Sequence, residues 1–272
     1  MKRGLSVRLV VRAANTIFNR VLFKPAEWLI RHFSSVGHPA FFDAKQFGWI
    51  AHVEADWTAI RDELREVLRE RASIPSFHEV SPDQLKITHD DKWKTYWLCA
   101  YGRRMAENCR RCPATTRLIE AIPQMSTAFF SILAPRKHIP EHRGPYSGVL
   151  RYHLGLIVPQ KPAACRIRVG SEVAHWEAGR SIVFDDTYPH EVWNDTDEER
   201  VVLFVDFARP LPFPVSWLNA GIVRLFGRSG YIQDIVDNVH EWNRLFGKQA
   251  PDAPRGAAAQ PPAAAEQPAA LR

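Results

Sequence analysis

Short strand-like runs between residues 127 and 207 limit most narrowly how this chain can fold. β-Branched and aromatic residues fill the runs, and glycine and proline interrupt them. Strands set so closely, with turn residues between them, are typical of an all-β sandwich or barrel. Two histidines on such strands can converge inside a jelly roll. The pattern predicts strands near residues 127–133, 148–158, 165–170, 181–185, 190–193 and 200–207.

Helical patterns flank this β region. Residues 54–72 carry an apolar stripe at helical spacing, and residues 113–122 open with a proline near the first turn of a second helix. Residues 211–247 are again helical in pattern, either as an element facing a membrane or as a helix beside the sheet. We therefore predict a mainly β fold with flanking helices, divided into a central domain at 41–210, whose motifs lie in 125–210, and a C-terminal helical segment at 211–248.

The two ends of the chain differ from its centre in composition. Residues 1–34 contain seven Lys and Arg residues and one acid, Glu27, which gives a net charge of +6. The whole chain is also +6, so the remainder is neutral on balance, and no nucleic-acid partner is expected. Residues 1–40 are predicted to be a basic amphipathic segment on an anionic membrane surface; the alternative is a helix packed on the domain. The Ala/Pro-rich tail, 249–272, is predicted to be disordered.

The expected location follows from what the sequence lacks. No stretch approaches the roughly 20 apolar residues of a membrane-spanning helix, and no signal peptide is recognisable. Four cysteines are too few for a fold built on disulfides. We expect a reduced, cytoplasmic setting, with peripheral association at the inner face of the cytoplasmic membrane.

Two histidine segments predict a metal site. His142-Arg-Gly-Pro and Tyr-Pro-His190-Glu-Val-Trp place their histidines 48 positions apart, and Arg200 follows ten residues after the second. Iron oxygenases that use 2-oxoglutarate have this layout: two imidazoles hold Fe(II), and a downstream basic residue holds a carboxylate of the cosubstrate. Their usual third ligand is a carboxylate two residues after the first histidine. Here Gly144 occupies that position.

Four polar residues lie among apolar strand residues, namely Ser131, Arg151, His153 and Arg200. Arg151 and His153 share one face of a strand because they are two residues apart. Buried polar groups need partners, and a dicarboxylate would supply them to the arginine and serine side chains. The alternative is that these residues lie on a solvated face of the sheet.

Five ordered segments carry a resemblance to a known family: His142-Arg-Gly-Pro, Arg151-Tyr-His-Leu-Gly-Leu-Ile-Val-Pro, Cys165-Arg-Ile-Arg-Val, Phe184-Asp-Asp-Thr-Tyr-Pro-His-Glu-Val-Trp and Arg200-Val-Val-Leu-Phe-Val-Asp. Residues from about 90 to 210 resemble the aspartyl/asparaginyl β-hydroxylase family of Fe(II)/2-oxoglutarate dioxygenases. The resemblance implies a double-stranded β-helix, the jelly-roll or cupin-like core. It also implies that His142 and His190 are the iron ligands and the catalytic pair, and that the family lacks the third carboxylate.

The resemblance further implies the cofactors Fe(II), 2-oxoglutarate and O2, with release of succinate and CO2. Ser131 and Arg200 match the positions that bind the distal carboxylate of 2-oxoglutarate. Arg151 and His153 match positions near the other carboxylate of the cosubstrate and near the substrate.

Members of this family differ in the substrate that they hydroxylate. The chain resembles most a bacterial branch of membrane-associated hydroxylases that act on acyl chains of lipid A or ornithine lipids. The basic N-terminal segment, the short chain and the Phe184-Asp-Asp-Thr-Tyr segment favour a lipid substrate at the membrane surface. The alternative is β-hydroxylation of Asp or Asn in peptides or proteins. A module that keeps the fold and binds without catalysis is a third reading, which the intact set of site residues disfavours.

Several neighbouring residues are left open or set aside. Asp185 and Asp186 either orient a ligand imidazole or cap a turn. Glu141 is predicted to point to the opposite strand face from the first histidine. Cys109 and Cys112 form a lone CxxC pair, which is too little for a structural zinc site.

Overall fold

Two antiparallel sheets form the centre of the protein. A computed structural model describes residues 24–246, so most of the predicted basic segment (1–23) and the predicted disordered tail (249–272) lie outside the described residues. The strands are β1 (Phe41–Phe42), β2 (Trp93–Ala100), β3 (Arg103–Arg104), β4 (Met125–Leu133), β5 (Lys137–His142), β6 (Val149–Ile157), β7 (Cys165–Val169), β8 (Glu172–His175), β9 (Ser181–Phe184), β10 (His190–Asn194) and β11 (Arg200–Ala208).

Strands β4 to β11 wind through both sheets as a double-stranded β-helix. The large sheet has the order β1-β9-β6-β11-β4-β2-β3, and the small sheet has the order β5-β10-β7-β8. Strands β4, β6, β9 and β11 thus lie in one sheet and the strands between them in the other, which is the jelly-roll arrangement. The predicted mainly β fold with a jelly-roll core is confirmed.

Eight α-helices flank the two sheets in the described chain. They are α1 (Lys24–His32), α2 (Ile50–Ala55), α3 (Trp57–Leu68), α4 (Phe77–Val80), α5 (Ala106–Arg111), α6 (Pro113–Glu120), α7 (Val215–Phe226) and α8 (Gly230–Phe246). Helices α3 and α6 pack on the outer face through a buried cluster that includes Ile60, Ile119, Phe130 and Leu203. None of the helices between residues 24 and 246 is both long enough and apolar enough to cross a membrane.

The inner face of the large sheet has two coverings. Leu133 and Val202 of this face pack against Ile167 and Val192 of the small sheet. Further along the same strands, Phe129 and Phe204 pack against α8. Polar residues of this face lie among these apolar ones: Ser131 is between Leu133 and Phe129 on β4, and Arg200 and Asp206 are on either side of Val202 and Phe204 on β11.

The predicted segments correspond to observed elements, with informative differences. All predicted strands are present, but β1, β2, β3, β5 and β8 were not predicted. Strand β5 contains Pro140 and charged residues, which are rare inside strands, so its sequence does not indicate a strand. The predicted helix at 54–72 is divided, with α2 ending before Asp56 and α3 beginning after it.

Glu63 links α3 to the beginning of α6 and provides a test of the outer layer. Its carboxylate accepts hydrogen bonds from the backbone N–H groups of Ala114 (2.7 Å) and Thr115 (2.9 Å), which have no partner within the helix. Glu63→Ala should lower the free energy of unfolding by about 1–2 kcal/mol, measured by urea denaturation. The control is Glu66→Ala on the same helix, whose exposed ion pair with Arg69 contributes about 0–1 kcal/mol. Equal denaturation midpoints for the two variants would contradict this assignment.

Candidate active site

His142 and His190 face each other across two paired strands. They are direct partners in the register of β5 and β10, and their ring centroids lie 4.1 Å apart. The register shifts between this pair and the next, in which Val192 faces Ile139, so β5 contains one extra residue at this point. This bulge at Pro140 and Glu141 turns His142 to the inner face that Ile139 already occupies.

The same bulge separates His142 from its outward-facing neighbours. The Glu141 carboxylate pairs with Arg168 at 2.9 Å, on the outer face as predicted. His138 also lies outside, where Nε2 contacts the Glu191 carboxylate at 2.7 Å and the ring stacks on Trp193. Neither residue can therefore complete a site with the two inward histidines.

Both inward imidazoles are held in the tautomer that binds metals. Nδ1 of His142 lies 2.8 Å from the carbonyl oxygen of Pro140, and Nδ1 of His190 lies 3.0 Å from that of Tyr188. A carbonyl only accepts, so each Nδ1 carries a proton and donates it, and each Nε2 keeps its lone pair. Burial lowers the pKa of His142, and burial together with the adjacent His142 lowers the pKa of His190 to about 3. Both rings are neutral at physiological pH and could hold a divalent metal.

A carboxylate from a different part of the chain fills the space beside Gly144. The Gly144 N–H donates to the carbonyl oxygen of Asp186 at 2.7 Å. A Cβ at position 144 would overlap the carboxylate of Asp186, which follows β9. The position that would carry a third ligand in a His-x-carboxylate motif is therefore occupied by Asp186. No group of three or more His, Cys, Asp or Glu side chains suited to a metal occurs within residues 24–246.

Arg151 anchors that carboxylate in a buried ion cluster. Its guanidinium pairs with Asp186 at 2.9 Å and with Asp206 at 2.9 Å, and lies over the ring of Phe204. Burial opposes the charge of Arg151, but the two carboxylates outweigh it and raise its pKa. Burial, only partly offset by Arg151, raises the pKa of Asp186 to about 6. Arg151 was predicted to lie near the substrate and cosubstrate; it lies in the site, with two of its nitrogens bound to carboxylates.

Arg200 is buried, with no carboxylate partner between residues 24 and 246. Its Nε and Nη1 have no hydrogen-bond partner among the described residues, and its guanidinium lies 4.5 Å from the centroid of the Trp176 ring. Burial lowers its pKa to about 10, so the side chain is still charged at neutral pH. Ser131 is a diagonal neighbour on the adjacent strand β4, where its hydroxyl accepts a hydrogen bond from Trp93 Nε1 at 3.1 Å. An anion with several oxygen atoms could accept hydrogen bonds from both Arg200 and the Ser131 hydroxyl.

His153 completes the group of unpaired polar side chains. Both ring nitrogens are buried without a partner among the described residues. The ring lies between Phe184 and Phe204, with centroids at 5.1 Å from each. Burial, followed by the charge of Arg200, lowers the pKa of His153 well below its usual value, so it is neutral. Such orphaned atoms are rare in native interiors, and their concentration on one sheet face indicates a ligand site.

The loop before His190 is fastened by Asp185. The Asp185 carboxylate accepts hydrogen bonds from the backbone N–H and hydroxyl of Thr187, at 3.1 and 2.6 Å. It also forms a fully buried ion pair with Arg209, which in turn donates to the carbonyl oxygens of Ser147 and Gly37. Asp185 therefore caps the turn, whereas Asp186 faces the site.

Sequence reasoning missed two residues of the site, Trp176 and Asp206. Trp176 follows the exposed edge strand β8, so nothing in the pattern marks it as fully buried. Asp206 offered a signal, since residues 200, 202, 204 and 206 of β11 share one face with Arg200. The predicted Cys109 and Cys112 pair is buried away from the site, with both thiols free.

The sequence and structure are similar to those of known proteins. The profile of the aspartyl/asparaginyl β-hydroxylase family matches residues 54–210. An ornithine lipid ester-linked acyl 2-hydroxylase from Rhizobium tropici is 42% identical, over 86% of this chain and 83% of that protein. The human aspartyl/asparaginyl β-hydroxylase is 31% identical, over 59% of this chain and 21% of that protein. Among solved structures, a Pseudomonas putida prolyl-4-hydroxylase has 19% identity and a TM-score of 0.40, over 59% of this chain and 99% of that chain.

The family match covers the whole candidate site. Every strand from β2 to β11 falls within the matched residues, so the histidine pair, the ion cluster and the unpaired arginine all lie inside it. The R. tropici protein aligns over most of both chains, which confirms the resemblance predicted from the sequence motifs. The protein is thus a hydroxylase that belongs to the aspartyl/asparaginyl β-hydroxylase family.

Proposed function

We propose that the protein is an Fe(II)/2-oxoglutarate-dependent dioxygenase that hydroxylates an acyl chain of a membrane lipid, an ornithine lipid or lipid A. The observation that carries the cofactor assignment is the buried guanidinium of Arg200, which has no carboxylate partner in the part of the chain that the structure describes. It lies in the same site as two neutral, inward-facing imidazoles. A metal ion accounts for the histidines, and a dicarboxylate accounts for the arginine.

The residues present fit both groups. His142 and His190 would hold Fe(II) through Nε2, because their Nδ1 atoms are already engaged with backbone carbonyls. Arg200 and the Ser131 hydroxyl would hold the distal carboxylate of 2-oxoglutarate by charge-assisted hydrogen bonds. Together, bound iron, 2-oxoglutarate and O2 supply the oxidising chemistry that inserts one oxygen atom into a C–H bond and releases succinate and CO2.

The protein itself contributes orientation and exclusion of water. The bulge in β5 and the capped loop before β10 fix the two imidazoles, and their backbone hydrogen bonds keep the proton on Nδ1. The aromatic rings of Phe184, Phe204 and Trp176 surround His153 and limit solvent on the side of Arg200. Arg151 holds the Asp186 carboxylate beside Gly144, which places a second charged group next to the histidine strand.

The R. tropici relative, which matches over most of its own length, supports the lipid assignment by its name. The human β-hydroxylase matches over only 21% of its length and supports the alternative, a peptide or protein substrate. We also propose that the enzyme associates peripherally with the inner face of the cytoplasmic membrane, where lipid headgroups are in reach. The basic residues of the segment 1–34 support this location.

Mass spectrometry of lipid extracts tests the proposed substrate directly. Cells that produce the native chain should contain a lipid heavier by one oxygen atom, and cells that produce the His142→Ala form should not. If neither extract contains such a lipid while the purified protein converts 2-oxoglutarate to succinate with an Asp-containing peptide, the peptide-hydroxylase alternative is correct.

The histidine pair should be indispensable for turnover. His142→Ala and His190→Ala should each reduce succinate formation to the level of a sample without enzyme, because two ligands leave no redundancy. Anaerobic Fe(II) binding, measured by calorimetry, should be lost in parallel. His138→Ala is the matched control, since this histidine is on the same strand but faces outward, and it should retain both properties. Turnover by either site variant would refute the ligand assignment.

We expect Arg200 to be required for binding of the cosubstrate but not for stability of the cosubstrate-free protein. An unpaired buried charge is destabilising, so Arg200→Met should leave the Tm of the cosubstrate-free protein unchanged or raise it. With Mn(II) present, 2-oxoglutarate should raise the Tm of the native protein but not that of the variant. Differential scanning fluorimetry measures both quantities.

Arg200→Lys provides the conservative comparison. It keeps the charge but loses the planar, two-point geometry of guanidinium. Its KM for 2-oxoglutarate should rise about tenfold to a hundredfold, as expected from losing about 1.5–3 kcal/mol of charge-assisted hydrogen bonding. An unchanged KM would remove Arg200 from the cosubstrate site.

Gly144 should not tolerate even one additional carbon. Gly144→Ala would force the Asp186 carboxylate away from its place and disturb its pairing with Arg151. We expect turnover to fall by about tenfold or more, since small displacements in a site are costly. The control is Gly48→Ala, where a Cβ has open space. Native turnover in Gly144→Ala would mean that the position of Asp186 is unimportant.

A further inference from the structure

Helix α7 directs an apolar face toward solvent. Trp217 is 75% exposed, and Leu218 and Leu225 are exposed on the same side; exposed Arg224 lies two turns after Trp217 on that side. The opposite side, with Val215 and Asn219, is buried. A surface helix normally presents polar residues outward, so this face of α7 has the composition of a binding surface.

Helix α1 packs against α7 and extends this surface. Ile30 of α1 and Val215 of α7 lie in one buried cluster, while Trp28 is 61% exposed on the outside of α1. Six of the eleven large apolar side chains exposed within residues 24–246 belong to these helices or directly adjoin them. We call this set the α1–α7 surface: Trp28, Phe33, Phe213, Trp217, Leu218 and Leu225. Such a concentration marks an interaction site rather than chance exposure.

The charges around the α1–α7 surface are all of one sign. Lys24, Arg31, Arg224 and Arg228 are exposed, and residues 208–233 contain no Asp or Glu. The one acid of α1, Glu27, turns inward and accepts a hydrogen bond from the backbone N–H of Ser147 at 3.1 Å. Tryptophan and phenylalanine bordered by basic residues suit the headgroup region of an anionic bilayer. A second copy of the chain would instead bring like charges together across a twofold interface.

Both helices are joined to the segments that carry the histidines. Arg31 of α1 donates to the hydroxyl of Thr187 at 3.0 Å, three residues before His190. Asn219 of α7 accepts from the Tyr146 hydroxyl at 2.7 Å and donates to the carbonyl oxygen of Gly148 at 2.7 Å, just beyond His142 and Gly144. A bilayer that contacts these helices therefore lies next to the segments that border the site.

We propose that the α1–α7 surface docks the protein on an anionic phospholipid bilayer, with its aromatic and leucine side chains among the headgroups and its arginines on the phosphates. The choice of a bilayer rests in part on the proposed lipid substrate. Docking itself does not require turnover, so the two proposals fail separately.

Co-sedimentation of the full chain with vesicles tests the docking. The vesicles contain phosphatidylcholine with or without phosphatidylglycerol. The native chain should bind the anionic vesicles, and the affinity of W217S/L225S for them should be lower by at least about tenfold. R224Q/R228Q should lose about fivefold per arginine at low salt and little at high salt. The matched control is L85S/V173S, which removes two apolar side chains exposed elsewhere and should bind like the native chain.

Two outcomes would overturn the proposal. Native binding by W217S/L225S would place the contact elsewhere, for example in residues 1–23. A change in sedimentation coefficient of that variant, with no vesicle binding by the native chain, would show that a second copy covers the surface. Succinate formation with detergent-solubilised lipid extract in place of vesicles separates the two proposals: it should be equal in the native chain and W217S/L225S. Its absence in both, together with the expected binding difference, would refute the dioxygenase and leave the docking supported.

Discussion

The buried ion cluster of Arg151 with Asp186 and Asp206 is the interaction on which the site depends. Arg151 and Asp206 are direct partners on the neighbouring strands β6 and β11, so the cluster begins in the middle of the large sheet. Asp186 joins it from the loop that leads into β10, so the ion pair connects that loop to the large sheet. Removing one member of such a cluster leaves an unpaired buried charge, which typically costs about 3–5 kcal/mol. The raised pKa of Asp186, about 6, reflects the same competition between burial and pairing.

The two buried arginines of the inner face show how one residue type serves two purposes. Arg151 is neutralised by carboxylates of the protein and belongs to the framework. Within residues 24–246, Arg200 contacts the Trp176 ring and Cys165 but no carboxylate, so its charge remains available to an anion. The unpaired charge makes the ligand-free interior less stable, but it provides a preformed anion site. A ligand that binds in this site stabilises the folded protein by mass action. His153, neutral and unpaired, lies on the same face and belongs to this preformed region.

Much of the jelly roll was predictable because its strands are runs of β-branched and aromatic residues bounded by glycine and proline. The histidine pair was also predictable, since residue type and motif order mark it. The way in which the histidines and the charged residues are positioned relative to the sheet could not be predicted. The bulge at Pro140 reverses the face of His142 relative to a simple period of two, and no local pattern reveals it. The partners of Arg151 depend on the register between β6 and β11 and on a loop that returns from the far end of β9. Trp176 is buried only because the chain turns back beneath Arg200, which is a tertiary effect.

The Asp186 carboxylate occupies the space that a side chain at Gly144 would need, and this limits how the site can change in evolution. Many iron oxygenases carry a carboxylate ligand at the position of Gly144. In this protein a single Gly144→Asp change would not create that ligand, because the volume is already taken by the carboxylate of Asp186. A path between the two kinds of site therefore needs two coordinated changes, and either one alone yields a crowded or an emptied pocket. This mutual exclusion acts as a barrier in sequence space, and it would keep the two-histidine site distinct over long divergence.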